Sequence, residues 1–261
     1  MAGDKPAGAG TAHAPAQPGK WRLGGALWLL GMPGVVAVVW ALLPTLKVNE
    51  ALLPLPLEAV LLLSGLQTAV LLALAVALGV WLAPRVGLRA PAVSSWMAGQ
   101  PAGPALRAQL VPGLWGGVAG AAWLWLLSRL APAALQPSDP ANAMPLAVKL
   151  LYGGITEELL MRWGVMTLLL WLGWRLLQRG HGQPRNGLVT TAVLFSAVLF
   201  AVGHLPAAQA MAGVLTMPVV AFVLVGNTVF GLVAGGLFAR HGLEAAIIAH
   251  VLAHLLASPL L

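Results

Sequence analysis

The chain has 261 residues, of which 59% are hydrophobic and 8% are charged, and its net charge is +7. Soluble domains carry roughly 25% charged residues, so this composition excludes an ordinary soluble domain and indicates a polytopic membrane protein. The basic residues stand singly between apolar runs, which excludes a nucleic-acid interface, and the lack of cysteine excludes disulfides, a thiolate nucleophile and thiolate metal ligands.

The N-terminal part of the sequence predicts a polar tail and three membrane helices. Residues 1–20 are rich in Ala, Gly and Pro, which predicts a disordered cytoplasmic tail rather than a signal peptide. Apolar runs at 23–45, 57–83 and 110–131 reach the ~20 residues that a bilayer requires. The stretch 84–108 holds several prolines and arginines and is predicted to be a loop. Overlapping Gly-xxx-Gly pairs predict close packing of the third helix, and they comprise Gly113, Gly116, Gly117 and Gly120.

The C-terminal part predicts a polar loop at 133–143 and four further helices, at 145–178, 187–204, 218–239 and 243–257. The helix at 145–178 is longer than a bilayer needs, so it must tilt or project beyond the membrane. Together with the first three helices, these segments predict an all-α, polytopic membrane helix bundle of about seven spans. The number ranges from roughly six to eight, depending on how 84–108 and 207–217 are counted.

The basic residues predict how this bundle is oriented. With the N-terminus in the cytoplasm, ten Lys or Arg residues lie on the cytoplasmic side and three on the opposite side, as the positive-inside rule expects. We therefore predict a multi-pass integral protein of the plasma (inner) membrane with a cytoplasmic N-terminus. The cytoplasmic set is Lys5, Lys20, Arg22, Arg85, Arg89, Arg107, Arg175, Arg179, Arg185 and Arg240, and the opposite set is Lys47, Arg129 and Lys149.

Two adjacent carboxylates and an arginine stand inside the fourth apolar helix. A charge at the centre of a membrane helix costs about 2.5–3.5 kcal/mol even on insertion scales, so these residues are expected to serve a function. Glu158 and Arg162 are four residues apart and can pair on one helical face, whereas Glu157 is rotated by about 100°. Glu157 is therefore predicted to be a general base, with Glu158 and Arg162 as its support. The alternative is a buried ion pair that only joins helices.

Three histidines stand in or beside the later apolar helices. His204 ends the fifth helix, and taken alone it is more typical of an interfacial histidine than of a ligand. His250 and His254 are four residues apart on one face of the last helix, which indicates a polar cavity, a proton path or a metal site. The metal pattern is incomplete, because Val251 stands where a His-Glu-xx-His motif has glutamate.

All of these ionisable residues fall after residue 150 and come from three helices. Because such groups avoid lipid, the three helices are predicted to face one another around a shared polar intramembrane cavity. We divide the chain accordingly into a cytoplasmic tail at 1–20, N-terminal transmembrane helices at 21–143 and a catalytic transmembrane core at 144–261.

The order of these motifs resembles a known family. Glu157-Glu158-xxx-Arg162, then Phe200-xxx-His204, then His250-xxx-His254, on successive apolar helices, is similar to the CPBP family of CAAX-protease and bacteriocin-processing intramembrane proteases. The resemblance covers roughly residues 145–257. It implies a helix bundle with a conical cavity in which a peptide bond is hydrolysed.

The resemblance also implies a role for each motif. Glu157 and His204 would activate water, while His250 and His254 would stabilise the oxyanion. Glu158 and Arg162 would orient these groups. The family commonly has asparagine at the last position, where this chain has His254, and an imidazole can also donate a hydrogen bond to an oxyanion.

Whether the water is activated by zinc or by glutamate alone stays open at the level of sequence. In the zinc form, His204, His250 and either Glu157 or His254 would hold the metal, which lowers the pKa of bound water toward ~7. In the other form no cofactor is needed.

The sequence leaves two alternatives to a protease open. A proton-coupled transporter or channel could use the same carboxylates and histidines as a proton relay, although no internal repeat supports it. A non-catalytic bacteriocin-immunity protein could share the scaffold. For the protease, the expected partners are the lipid bilayer and a membrane-associated peptide or protein, with a prenylated C-terminus as one substrate that the resemblance allows.

Overall fold

The structure is a computed structural model that describes residues 19–136 and 144–258. Within these two ranges every regular element is helical and no strand occurs, which confirms the all-α class. Residues 1–18 of the predicted tail and 137–143 of the predicted polar loop lie outside the described residues.

Ten α-helices make up most of the described chain. Five helical stretches are long and apolar enough to cross a membrane, namely Lys20–Val48, Leu57–Val86, Gly103–Leu130, Asn186–Ala212 and Met217–Arg240. They contain α1 (Lys20–Val48), α2 (Leu57–Leu82), α4 (Gly103–Leu130), α7 (Asn186–Gly203), α8 (Leu205–Ala212) and α9 (Met217–Arg240). The other helices are α3 (Pro91–Met97), α5 (Leu146–Val148), α6 (Thr167–Leu177) and α10 (Leu243–Ala257).

The prediction of a loop at 84–108 is wrong in part. A turn of 3₁₀-helix covers Ala83–Val86, α3 follows, and α4 begins at Gly103, seven residues before the predicted start of the third helix. Pro91 and Pro104 were signs of a loop in the sequence, but both lie in the first turn of a helix. Proline is tolerated there because its missing N–H has no partner within the helix.

The fourth predicted helix is present, but it is not a regular α-helix. The helical segment 146–177, here called the site helix, begins with α5 and ends with α6. Between them lie two π-helical segments, Lys149–Thr156 and Leu159–Met166, separated only by Glu157 and Glu158. The Oγ1 of Thr156 contacts the carbonyl of Leu151, five residues earlier. Since π-helical turns are rare and frequent at functional sites, this local geometry marks the carboxylate pair.

Glycines allow the helices around the site helix to pack closely. On α4, a Cβ at any of the four glycines of the Gly-xxx-Gly pairs would contact side chains of α9 or α10 at 3.1 Å or less. This confirms that the glycines bring the helices together. The contacted residues are Ile248 for Gly113, Leu237 and Ala249 for Gly116, Leu252 for Gly117, and Phe230 and Ala253 for Gly120.

The site helix packs against the N-terminal helices α1 and α2 and also against α10. The first π-helical segment packs against α1 and α10, and the second packs against α2. The Oγ1 of the buried Thr156 donates a hydrogen bond of 2.7 Å to the carbonyl of Gly31 in α1, and the indole nitrogen of Trp163 contacts the carbonyl of Val76 in α2. The N-terminal helices therefore hold the site helix from one side while α10 meets it from the other.

Candidate active site

Glu158 is the centre of the polar cluster. It is fully buried, and its two carboxylate oxygens contact different partners. Oε1 lies 2.8 Å from Nδ1 of His250 on α10, and Oε2 lies 3.2 Å from Nε of Arg162 on the next turn of the site helix. The Glu158–Arg162 pairing is as predicted, whereas the contact with His250 shows that the site helix and α10 meet directly at their polar residues.

Arg162 is fully buried as well and is held from three sides. Besides the ion pair with Glu158, its guanidinium carbon lies 4.7 Å from the centre of the Phe200 ring, and Nη2 lies 3.4 Å from the carbonyl of Gly231. A cation over an aromatic ring contributes about 2 kcal/mol when the pair is shielded from water. These contacts fix the arginine between α7 and α9. Nε of Arg162 and Oε2 of Glu158 are close enough for an ion pair, but they are not aligned for a hydrogen bond. Neither atom has another hydrogen-bond partner within the described chain.

The ring of His250 is oriented by its contact with Glu158. A carboxylate only accepts hydrogen bonds, so Nδ1 of His250 carries the proton in this contact and Nε2 points away. The ring packs at 4.6 Å from the centre of the Phe230 ring and stacks at 5.0 Å on His254. His254 is half-buried and lies within electrostatic range of His250, Lys149 and His204.

His204 stands at the junction of α7 and α8. Its Nδ1 lies 2.8 Å from the carbonyl of Phe200, one turn earlier, so Nδ1 donates and Nε2 is left free to accept. The Phe200 ring meets the His204 ring edge-on at 4.6 Å. Phe200 thus contacts both Arg162 and His204, which gives a structural reason for the spacing Phe-xxx-His.

Glu157 takes no part in the buried ion pairs. It is half-buried, it lies within electrostatic range of Tyr152, and no hydrogen bond or ion pair joins it to another described residue. The two carboxylates therefore differ in their surroundings, as the sequence analysis expected. Their catalytic roles, and those of the three histidines, stay predictions.

The sequence left a zinc form open, and its possible ligands are not gathered into one group in the described residues. Nowhere in residues 19–136 and 144–258 do three His, Asp or Glu side chains come close enough together to hold a metal ion. One feature does suit a ligand, since the Nδ1 of His250 is bonded to a carboxylate in the way that metal-binding histidines commonly are. Whether the protein binds zinc stays a prediction.

Two apolar grooves flank α4, each about 450 Å³ in volume. One lies against α10 at Leu256, and the other lies against α9 with Phe230 among its lining residues. Neither is lined by a predicted site residue, so the polar cavity stays a prediction.

Sequence reasoning missed a second buried polar contact, which joins the start of α10 to α3 and α4. Glu244 is 7% exposed and accepts a hydrogen bond of 2.9 Å from the backbone N–H of Val93. Gln109 on α4 accepts one of 3.1 Å from the N–H of Ala245. These bonds satisfy the first turns of two helices and anchor α10, which carries His250. The available signal was a glutamate two residues after Gly242, the residue that precedes α10.

Comparison with known proteins agrees with the motifs. A family model described as type II CAAX prenyl endopeptidase, Rce1-like, matches residues 139–256, which contain all the predicted site residues. No match was found among the curated proteins or the solved structures. This match over residues 139–256, which carry all three motifs, supports membership of the CPBP family.

Proposed function

We propose that this protein is an intramembrane endopeptidase of the CAAX-protease type that hydrolyses a peptide bond in a membrane-associated substrate. The observation that carries the proposal is the buried contact of Glu158 with both Arg162 and His250, inside the region that the family model matches. Burying a carboxylate and an imidazole in a membrane helix bundle costs free energy. A catalytic role in peptide hydrolysis, in which the oriented imidazole stabilises the oxyanion, explains why the sequence keeps both groups.

The proposal includes a membrane arrangement. The site helix and α10 complete a bundle of about seven spans with the five long apolar stretches. Their polar residues face a cavity within the plasma membrane, and the N-terminus is cytoplasmic. Support comes from burial, because Glu158, Arg162 and His250 all point into the protein rather than toward lipid.

In the first step, Glu157 acts as the general base. A water molecule hydrogen-bonded to Nε2 of His204 loses a proton to Glu157 as its oxygen attacks the scissile carbonyl carbon. Glu157 suits this role because, within the described chain, Arg162 pairs with Glu158 and leaves Glu157 without an ion-pair partner. The product of this step is a tetrahedral oxyanion.

In the second step, the oxyanion is held and the peptide bond breaks. With a proton on each ring nitrogen, His250 donates through Nδ1 to Glu158 and through Nε2 to the oxyanion. His254 donates through its own Nε2. Glu157 then passes its proton to the departing nitrogen as the carbon–nitrogen bond breaks, which yields a carboxylic acid and an amine. The zinc form described above stays a separate prediction, which metal analysis of the purified protein tests.

Replacement of the proposed general base tests the function. We expect Glu157→Gln to reduce kcat by about 10²–10⁴, because an amide cannot take the proton of water. The measurement is cleavage of a prenylated reporter peptide by full-length protein in liposomes. The matched control is Glu58→Gln, since Glu58 is exposed in the first turn of α2. The Glu58→Gln protein should cleave the reporter peptide at the wild-type rate.

Two outcomes would count against the proposal. Wild-type turnover by Glu157→Gln would remove the assigned base. If the wild-type protein leaves a library of prenylated and unprenylated membrane peptides intact, the endopeptidase function itself is wrong. Unchanged helicity in circular dichroism shows that a loss of turnover is not a loss of fold.

A further inference from the structure

Lys149 is a charged side chain near the site that the proposed mechanism does not use. It is the first residue of the first π-helical segment, which packs against α1 and α10. It lies within electrostatic range of His254 and is half-buried, whereas Lys20 and Lys47 are exposed. Among the lysines that the structure describes, Lys149 is therefore the one that stands beside the histidines.

Lys149 lies on the same face of the site helix as the proposed general base. Lys149, Gly153 and Glu157 are spaced four residues apart, and residues four apart in a helix lie one above the other. The middle member of this row faces α10, because a Cβ on Gly153 would lie 3.4 Å from Nε2 of His254. The row therefore runs along the side of the site helix that faces the histidines, with a cation at one end and a carboxylate at the other.

The ammonium group of Lys149 has no ion-pair partner in the described chain. The two ion pairs found there, Arg162–Glu158 and His250–Glu158, both use Glu158. Glu157 is eight residues from Lys149, or about 12 Å along a helix, and no ion pair joins the two. Removing a cation from water costs free energy unless an anion compensates it, so a half-buried lysine on this face is suited to an anionic group of a ligand.

We propose that Lys149 is a specificity-determining residue that binds a carboxylate of the peptide substrate. This inference rests on the proposed endopeptidase function and names one chemical group that the substrate carries. The carboxylate lies within about four residues of the scissile bond, because an extended peptide of that length spans the distance from Glu157 to Lys149. It belongs either to a free C-terminus or to an Asp or Glu side chain, and the experiment below distinguishes the two.

The test compares enzyme variants and substrate variants in one cycle, with cleavage by full-length protein in liposomes as the measurement. For a peptide that carries the carboxylate, Lys149→Gln should raise KM about 10–100-fold, because a hydrogen bond to a charged group contributes on this order. The value of kcat should stay close to that of the wild type, since Lys149 does not touch the reacting atoms. When that carboxylate is converted to an amide, the wild-type and Lys149→Gln proteins should have equal KM values.

Matched peptides identify the source of the carboxylate. One peptide has an amidated C-terminus, and the others have Asp or Glu replaced one at a time by Asn or Gln. The effect of Lys149→Gln should disappear with the amidated peptide if the C-terminus is bound, and with one side-chain replacement if an acidic residue is bound. An equal rise in KM for every peptide, as expected of a lysine that only contacts lipid headgroups, would overturn the proposal, and so would no rise at all.

Two further variants control for charge and for position. Lys149→Arg keeps the positive charge, so it should still distinguish the peptide with the carboxylate from its amide. Lys47→Gln should change KM for neither peptide, because Lys47 is exposed in the last turn of α1. Loss of discrimination in Lys47→Gln would show that the effect comes from the general charge of the protein and not from Lys149.

A binding measurement decides the proposal without cleavage. Fluorescence anisotropy of a labelled peptide gives its Kd for Glu157→Gln and for the double variant Glu157→Gln with Lys149→Gln. The double variant should bind the peptide that carries the carboxylate about 10–100-fold more weakly. Equal affinities, or no binding by either protein, would overturn the role of Lys149. If the wild-type protein cleaves no peptide, the endopeptidase function fails and the binding measurement alone tests Lys149.

Discussion

At the scale of single residues, one carboxylate organises the polar cluster and its neighbour is left apart. Glu158 contacts Arg162 along its own helix and His250 across to α10. Glu157, one position earlier, contacts neither within the described chain. Adjacent residues of a helix point in different directions, so the same residue type can be locked at one position and available at the next.

The buried ion pair predicts a specific pattern of stability. Glu158→Leu should destabilise the protein by about 3–5 kcal/mol, because it leaves the Arg162 charge buried without its partner. The double variant Glu158→Leu with Arg162→Leu should recover much of this loss, since apolar residues replace a buried ion pair at little net cost. Unfolding in detergent mixtures, followed by tryptophan fluorescence, measures both free energies.

The same pair of variants separates stability from function. The double variant should stay inactive toward the reporter peptide, because His250 has lost the carboxylate that orients its ring. If the single and double variants are equally unstable, Glu158 and Arg162 do not stabilise each other as described.

At the scale of helices, glycines and prolines determine how the site is presented. Prolines in the first turns of α3, α4 and α8 start helices rather than interrupt them. The glycine face of α4 brings α10 close, and Gln109 on α4 accepts a hydrogen bond from the N–H of Ala245 in the first turn of α10. Glu244 of α10 accepts one from the N–H of Val93 in α3. The position of His250 and His254 therefore depends on contacts with α4 that lie away from the predicted catalytic residues.

This dependence predicts the effect of one added methyl group on α4. Gly113→Ala should destabilise the protein by about 1–3 kcal/mol, because its Cβ would lie 2.8 Å from the Ile248 side chain and 3.1 Å from the Ala245 carbonyl. Thermal unfolding measures the change. Gly103→Ala at the start of α4 is the control, since its Cβ would meet nothing within 4 Å. Equal stability of the two variants would show that α10 does not need this close approach.

At the scale of the whole molecule, the site joins parts of the chain that are far apart in sequence. Glu158 and His250 are 92 positions apart and 2.8 Å from each other, and α1 contacts the site helix through Gly31 and Thr156. The N-terminal helices lie outside the region matched by the family model, yet they pack against the helix that carries both carboxylates.

The predicted orientation in the membrane can be tested with single cysteines, because the natural sequence contains none. Glu50→Cys, between α1 and α2, should react with an impermeant maleimide in intact cells, since the cytoplasmic N-terminus places this turn outside. His181→Cys, after α6, should react only after the membrane is permeabilised. Mass shifts on gels measure both, and the reverse pattern would contradict the charge-based orientation.

Composition and periodicity alone determined that the chain is an all-α membrane protein and that Glu158 pairs with Arg162, because both follow from local spacing and from the cost of charge in lipid. The motif order also indicated the family that the match over residues 139–256 supports. Only the tertiary structure decided that His250 meets Glu158, that Gly153 faces the imidazoles of His250 and His254, and that the site helix contains π-helical segments. These features arise where separate helices pack, and a contact between helices depends on close approach and register that no single segment encodes.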